Sequence, residues 1–180
     1  MYIKLLRIYQ AKVRIVDNYV YMWKGIIMIK SIGTHIKAKD YKASRAFYEG
    51  FGFPVIFEYG PDKEVKEEYS GVTFAVGAAK LEVADGHRAV KPETFEENIT
   101  SSKISLMIEV ESLTGIIERA EKMGLSPTTP VRHYYCGKLE VVYRDPDGVI
   151  VVFTQPYNPV DAKRLGADES FGQVGLLSSL

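Results

Sequence analysis

The hydrophobic and polar positions of residues 33–39 alternate with a period of two, as they do in a half-buried β-strand. One face of this segment carries the apolar side chains of Ile36 and Ala38. The other face carries three polar side chains, those of His35, Lys37 and Lys39. The pattern therefore predicts a strand that buries its apolar face and leaves its polar face open.

The residues that follow this strand predict a short helix. Asp40 is suited to accept hydrogen bonds from the first free backbone N–H groups, so the helix is expected to begin near Tyr41. Gly50 and Gly52 predict its end, because glycine readily adopts the left-handed conformation that terminates many helices. The predicted buried stripe of the helix consists of Ala43, Ala46 and Phe47.

Three further strands are predicted after this helix, which gives the order β-α-β-β-β. They are rich in β-branched, aromatic and alternating residues and comprise residues 54–59, 71–78 and 80–84. The polar residues 85–102 then form a linker.

The same order restarts after the linker. Residues 103–110 alternate like a strand, and apolar residues recur at helical spacing over residues 113–123 before Gly124. The three strands predicted after this helix are residues 126–135, 138–144 and 149–155. The first of these contains two prolines and is therefore expected at the edge of a sheet.

These elements predict an α+β protein made of two tandem βαβββ modules, residues 31–86 and 102–156, within a domain of residues 31–156. One helix covers only one face of each module's sheet. The open faces are therefore expected to form a cupped, cavity-enclosing mixed β-sheet with flanking helices. Residues 1–30 are interpreted as an N-terminal extension of uncertain structure, and residues 157–180 as a C-terminal extension.

The N-terminal extension carries six Lys or Arg residues against one Asp and shows no clear period. We interpret it as an appended segment or as the product of a start codon assigned too early, since Met22 and Met28 precede the first module. Its basic and aromatic residues also suit a docking arm for a second subunit. It contains no secretory signal and no apolar run near the ~20 residues that span a bilayer.

Composition narrows the function classes further. The 180 residues are 46% hydrophobic, which suffices for a buried core, and 23 Lys and Arg balance 23 Asp and Glu. No overall field therefore favours nucleic acid or an anionic membrane. The single cysteine, Cys136, excludes an internal disulfide framework and favours a cytoplasmic location. Cys136 is more readily interpreted as an unreactive thiol than as a nucleophile.

Three segments resemble the vicinal oxygen chelate superfamily, which includes glyoxalase I, extradiol dioxygenases and the bleomycin and fosfomycin resistance proteins. They are GTHIKAKDYKASRAFYEGFGF at residues 33–53, KLEVAD at residues 80–85 and YRDPDGVIVVFTQ at residues 143–155. The Asp-Pro-Asp-Gly turn in the last segment suits a type I geometry. The resemblance implies a homodimer that binds a small molecule, with metal ligands on the first and fourth strands of each module.

The resemblance assigns His35 and Glu82 as metal ligands in the first module. Imidazole and carboxylate groups suit a divalent transition metal such as Zn, Ni, Mn or Fe. The second module offers only Ser105 or Met107 on its first strand and Val152 on its last. One chain therefore supplies two ligands, and a site of four requires the first modules of two chains to face each other.

Other roles for these residues remain open. His35 is equally well interpreted as a cavity-wall residue hydrogen-bonded to Glu82. Glu82 is the candidate general base, since desolvation raises the pKa of a carboxyl group, or it forms an ion pair with Lys37. Lys37 and Glu109 are the candidate ligand-binding residues. His87 and His133 are expected at the surface.

The incomplete ligand set favours a protein that binds a small organic molecule in a cavity between the modules. The alternative is a metal-dependent lyase, isomerase or dioxygenase of the glyoxalase type. No pattern typical of nucleic-acid binding or of membrane association supports another class.

Overall fold

The computed structural model describes residues 13–16, 19–22, 31–100, 103–134 and 136–167. The chain divides into two compact units, residues 1–32 and 33–180. The first unit contains an antiparallel hairpin of β1 (Val13–Val16) and β2 (Tyr19–Met22). The sequence did not predict this hairpin, because the apolar residues there follow no clear alternation. The remainder of the predicted docking arm lies outside the described residues.

The second unit begins with a four-stranded mixed sheet, here called the first sheet. Its elements are β3 (Gly33–Lys37), α1 (Tyr41–Gly50), β4 (Val55–Tyr59), β5 (Gly71–Val76) and β6 (Ala79–Ala84). The strand order is β3-β6-β5-β4. β3 runs parallel to β6, and the other neighbours are antiparallel.

A second sheet repeats this arrangement after a short helix, α2 (Glu93–Glu96). It comprises β7 (Ser105–Glu109), α3 (Leu113–Lys122), β8 (Thr129–Tyr134), β9 (Lys138–Arg144) and β10 (Ile150–Pro156), followed by α4 (Pro159–Arg164). The order β7-β10-β9-β8 places β8 at an edge, as its prolines predicted. The predicted α+β class with two βαβββ modules is confirmed. Among the described residues, no helix is long and apolar enough to cross a bilayer.

The helix α1 begins and ends as the sequence predicted, but its buried stripe is different. Asp40 caps it by accepting a hydrogen bond from Ala43 N at 3.0 Å, and Gly52 adopts a positive φ of 90° beyond its end. Its buried residues are Ser44, Phe47 and Tyr48. Ala46 is exposed, so its place in the predicted stripe was wrong.

Polar partners in the second module explain why Ser44 and Tyr48 are buried. Ser44 Oγ donates to Asp147 Oδ2 at 2.6 Å, and Tyr48 OH donates to Asp145 Oδ2 at 2.8 Å. Asp147 Oδ1 also accepts from the backbone N–H of Lys39 at 2.7 Å. The two aspartates of the turn between β9 and β10 therefore hold α1, and this turn joins the two modules.

Aromatic contacts continue this junction into one shared core. The ring of Phe51, which follows α1, lies 4.9 Å from the ring of Phe153 and 5.2 Å from that of Tyr143, between centroids. Burying large aromatic side chains contributes strongly to stability. The helices α1, α3 and α4 and the apolar faces of both sheets therefore share one core, which leaves the opposite face of each sheet as its open face.

Candidate functional site

Side chains from all four strands meet on the open face of the first sheet. The strand register aligns His35 of β3 with Glu82 of β6, Glu82 with Thr73 of β5, and Thr73 with Phe57 of β4. Residues opposite each other in a ladder project from the same face. They line a cavity of about 560 Å³, here called the first-sheet cavity, together with Gly33, Thr34, Ile56 and Lys80.

His35 presents a buried nitrogen atom to this cavity. Its Nε2 lies 3.7 Å from Glu82 Oε1, which is too long for a hydrogen bond. Within the part of the chain that is described, this buried nitrogen has no hydrogen-bond partner. Burial lowers the pKa of His35, and the opposing effect of Glu82 is smaller. The ring is therefore neutral at pH 7 and has one unused polar atom.

Glu82 is held by a tyrosine that sequence reasoning missed. Tyr59 OH donates to Glu82 Oε1 at 2.6 Å. Burial is the main cause that raises the pKa of Tyr59, so its hydroxyl stays protonated and remains a donor. The ring of Tyr59 lies over Gly71, where an added Cβ would stand 2.0 Å from Tyr59 Cζ. The glycine at the start of β5 thus leaves room for the tyrosine that orients Glu82.

Lys37 lies on the same face and is partly buried. Burial lowers its pKa, and Glu82 opposes that change. The described residues contain no ion pair between Lys37 and Glu82, so the structure provides no direct contact for that predicted pair. Lys37 contributes positive potential beside the cavity.

His87, which the sequence analysis expected at the surface, is partly buried and lies beside His35. The segment after β6 brings its ring to 5.3 Å from that of His35, at an interplanar angle of 72°. Its Nδ1 accepts a hydrogen bond from Ala89 N at 3.1 Å. The sequence gave no signal for this contact because it depends on how the chain turns after β6. His133, by contrast, stacks on Tyr157 at 3.9 Å in the second module.

The structure does not bring Glu109 together with the other predicted site residues. Glu109 lies at the end of β7 in the second sheet, its side chain is 62% exposed, and it forms an ion pair with Lys138 at 2.5 Å. It does not line the first-sheet cavity. Its role in ligand binding stays a prediction, and that role would not involve the first-sheet cavity.

The residues present do not fit a metal ion held by one chain alone. Residues 31–100, 103–134 and 136–167 contain no group of three or more His, Cys, Asp or Glu side chains suited to hold one. His35 and Glu82 provide two donors, whereas a protein-bound transition metal usually has three or four protein ligands. In the second sheet, the corresponding register pair is Met107 and Val152, which supplies no oxygen or imidazole.

Comparisons with known proteins agree with this architecture. The family model described as "Glyoxalase/Bleomycin resistance protein/Dioxygenase superfamily" matches residues 31–153. No curated protein matches the chain significantly.

Three solved structures resemble the fold. SMU.1112c has 20% identity and a TM-score of 0.51 over 72% of this chain and 98% of its own. A mutant of the fosfomycin resistance protein FosX from Listeria monocytogenes has 15% identity and a TM-score of 0.50 over 77% of this chain and 98% of its own. That structure was solved with Mn(II) and a dihydroxypropylphosphonic acid. A glyoxalase/bleomycin resistance protein/dioxygenase from Alicyclobacillus acidocaldarius has 12% identity and a TM-score of 0.50 over 70% of this chain and 90% of its own.

Proposed function

The chain belongs to the Glyoxalase/Bleomycin resistance protein/Dioxygenase superfamily, and from that premise we propose that it binds a small organic molecule in the first-sheet cavity. The observation that carries this proposal is the buried Nε2 of His35, a residue that lines the cavity beside Glu82, since this nitrogen has no hydrogen-bond partner among the described residues. A buried polar atom without a hydrogen bond is costly, and a ligand that bonds to it removes that cost.

The walls of the cavity indicate the chemistry of its ligand. Ile56 and Phe57 are 50% and 47% exposed, so they offer an apolar surface to a flat or hydrophobic body. His35 and Glu82 lie on the same face of the sheet, on β3 and β6, away from the β4 edge, and offer hydrogen-bonding groups. We infer a ligand that has an apolar body and a polar group which bonds to the imidazole and the carboxylate.

The oxygen of Glu82 that Tyr59 does not engage is available to the ligand. As Glu82 lies beside a neutral imidazole, a hydroxyl or N–H group of the ligand is a suitable donor to it. If the protein is an enzyme, Glu82 is the residue placed to accept a proton from such a group. The two-donor site favours binding without a resident metal ion.

The second candidate is a divalent-metal-dependent lyase, isomerase or dioxygenase of the glyoxalase type. The unpartnered His35 Nε2 beside a carboxylate favours it, since both are metal-ligating groups. A metal would then need further ligands. A cytoplasmic homodimer whose first modules face each other would supply two imidazoles and two carboxylates to one ion.

The binding proposal is tested by a thermal-shift screen of small organic compounds on four proteins. These are the unaltered chain, Glu82→Ala, His35→Ala and Glu118→Ala, the last being an exposed carboxylate on α3 that serves as the matched control. A compound present at 100 times its dissociation constant stabilises the folded state by about 2.7 kcal/mol. We expect hits that stabilise the unaltered chain and Glu118→Ala, with at least about tenfold weaker binding by the two site variants.

Compounds that bind all four proteins equally would place the ligand elsewhere and reject the proposal. Metal analysis of protein purified without added metal or chelator separates the two candidates. About one transition-metal ion per two chains, lost in Glu82→Ala, would support the metal-dependent enzyme. No bound metal after incubation with Zn, Ni, Mn or Fe would support the binding protein.

A further inference from the structure

The open face of the second sheet carries a row of polar side chains that the first-sheet cavity does not use. The register aligns Glu109 of β7 with Thr154 of β10, Thr154 with Glu140 of β9, and Glu140 with Arg132 of β8. These four residues, here called the polar row, project from the face opposite the core, to which the alternate residues Val141 and Phe153 belong.

Two polar atoms of the row are buried without a partner. Thr154 is 4% exposed, and its Oγ1 has no hydrogen bond within the described ranges. The Nε of Arg132 is likewise buried and unbonded there. Buried hydroxyl and guanidinium groups normally have partners, so these two mark positions where a bound molecule would gain hydrogen bonds.

The charges of the row are also left available. Arg132 and Glu140 are register neighbours of opposite charge, yet the described part of the chain contains no ion pair between them. Lys138 is engaged by Glu109. Burial raises the pKa of Glu140, and the opposing effect of Lys138 is smaller. A residue with a guanidinium group and one with a carboxyl group therefore lie on neighbouring strands, each able to take a partner.

An apolar row lies directly beside the polar one. Met107, Val152 and Val142 are aligned across β7, β10 and β9, one ladder step before the polar row on the same face. Met107 is 67% exposed, and methionine adapts well to the shape of a bound apolar group. The second sheet thus offers a hydrophobic strip next to a charged one.

We propose that this face is a second ligand site, which binds a small zwitterion with an apolar side chain, such as a free aliphatic α-amino acid. The carboxylate of the ligand bonds to Arg132, its ammonium group bonds to Glu140, and its side chain lies on Met107 and the two valines. The hydroxyl oxygen of Thr154 accepts a hydrogen bond from the same ammonium group.

The arrangement of charges argues against a ligand with a single charge. The side chain of Thr154 stands between two glutamates, which would repel a simple anion. Arg132 carries a positively charged guanidinium group, which would repel a simple cation. A molecule with both charges a few bonds apart matches both neighbours. This inference rests on the second sheet alone and does not depend on the function proposed for the first.

The test is a titration of the full chain with L-leucine to about 10 mM. The NMR signals of ¹³C-methyl methionine monitor the titration and detect binding as weak as about millimolar dissociation constants. Met107 reports on the site, and Met123, which packs against Gly50, is the internal control. Met107→Leu assigns the signal. We expect the Met107 methyl signal to move and the Met123 signal to stay.

Variants and analogues test the contacts individually. Arg132→Gln and Glu140→Gln are expected to weaken leucine binding at least about tenfold, whereas the exposed Glu118→Gln leaves it unchanged. Thr154→Val is expected to weaken binding while keeping or raising the stability of the fold, because it removes an unpartnered hydroxyl. Isovalerate and isoamylamine, which each carry one of the two charges, are expected to bind at least about tenfold more weakly than leucine.

Absence of a Met107 shift at the highest leucine concentration would overturn the proposal. Equal binding of leucine and isovalerate would overturn the requirement for a zwitterion. If neither Arg132→Gln nor Glu140→Gln changes the dissociation constant of leucine, the assigned contacts are overturned. Because none of these substitutions touches the first-sheet cavity, compounds that bind there remain detectable in the same variants, and the two proposals succeed or fail separately.

Discussion

Replacing Ser44 with alanine removes one of the hydrogen bonds that hold α1 against the turn between β9 and β10. Ser44 is completely buried, and its Oγ donates to Asp147 Oδ2 at 2.6 Å. Asp147 is 3% exposed, so no bulk water is at hand to replace the lost donor. The substitution leaves Oδ2 without that partner, while Oδ1 keeps the backbone N–H of Lys39.

The magnitude follows from two opposing effects. A hydrogen bond to a charged group contributes about 1.5–3 kcal/mol to stability. Alanine favours the helical conformation over serine by about 0.5 kcal/mol, which offsets part of that loss. The two side chains differ by a single oxygen atom, so the cavity contribution is small. We therefore expect Ser44→Ala to lower the free energy of unfolding by about 1–2.5 kcal/mol.

Urea denaturation followed by far-ultraviolet circular dichroism measures this change. The dependence of the unfolding free energy on urea should keep its slope while the midpoint falls, as expected when stability alone changes. Ser126→Ala is the matched control, because Ser126 is exposed in the segment before β8. It should change stability by less than about 0.5 kcal/mol.

A double-mutant cycle with Asp147→Asn distinguishes the hydrogen bond from a general effect on α1. Residues in direct contact usually show coupling energies of about 0.5–3 kcal/mol. A coupling below about 0.5 kcal/mol would refute the reasoning that this bond joins the modules. A loss no larger than that of Ser126→Ala would refute it as well.

Two further predictions concern the first-sheet cavity. Gly71→Ala places a methyl group 2.0 Å from Tyr59 Cζ, so it should destabilise the fold by about 1–3 kcal/mol in urea denaturation. Gly115→Ala in α3 should stabilise the fold by up to about 1 kcal/mol, because an added Cβ there meets no atom within 4 Å outside the neighbouring backbone of its own helix. Equal effects of the two substitutions would contradict the described position of the Tyr59 ring. In NMR titrations His35 should have a pKa below its ordinary value of 6.5. Glu82→Gln should lower the pKa of His35 further, and Lys37→Gln should raise it. Shifts in the opposite directions would contradict these assignments. Because the unfolded chain binds this proton more readily, stability should fall as the pH falls below about 6.5, and His35→Gln should weaken that dependence.

Local patterns in the sequence were sufficient to predict the elements of the two βαβββ modules and their repetition. The alternation in β3 and β7, the cap at Asp40 and the glycine after α1 are determined by neighbouring residues, so they can be identified without knowing the fold. The prolines before and within β8 predicted an edge strand for the same reason. The lack of metal-ligating side chains at Met107 and Val152 also followed from the sequence, once the family resemblance indicated which strands carry the ligands.

The burial of polar side chains was decided by the tertiary structure. Ser44 and Tyr48 were not part of the predicted stripe of α1. They are buried because their partners Asp147 and Asp145 come from 103 and 97 residues further along the chain. No local pattern contains that information, since the cost of burying a hydroxyl is removed only when its partner is in place. Ala46 was assigned to the stripe because it is apolar, and it is exposed because no element packs on it.

The composition of the site divides in the same way. His35 and Glu82 were identified from the sequence because the resemblance to the vicinal oxygen chelate superfamily implies ligands on the first and fourth strands of a module. Tyr59 reaches Glu82 only because β4, β5 and β6 assemble in that order and Gly71 leaves space for its ring. The contact of His87 with His35 depends on the path of the loop after β6. The first-sheet cavity exists only once the strands have assembled. The sequence by itself thus determined the strands and helices of the two modules and the candidate donors, whereas the three-dimensional packing determined which of these side chains meet.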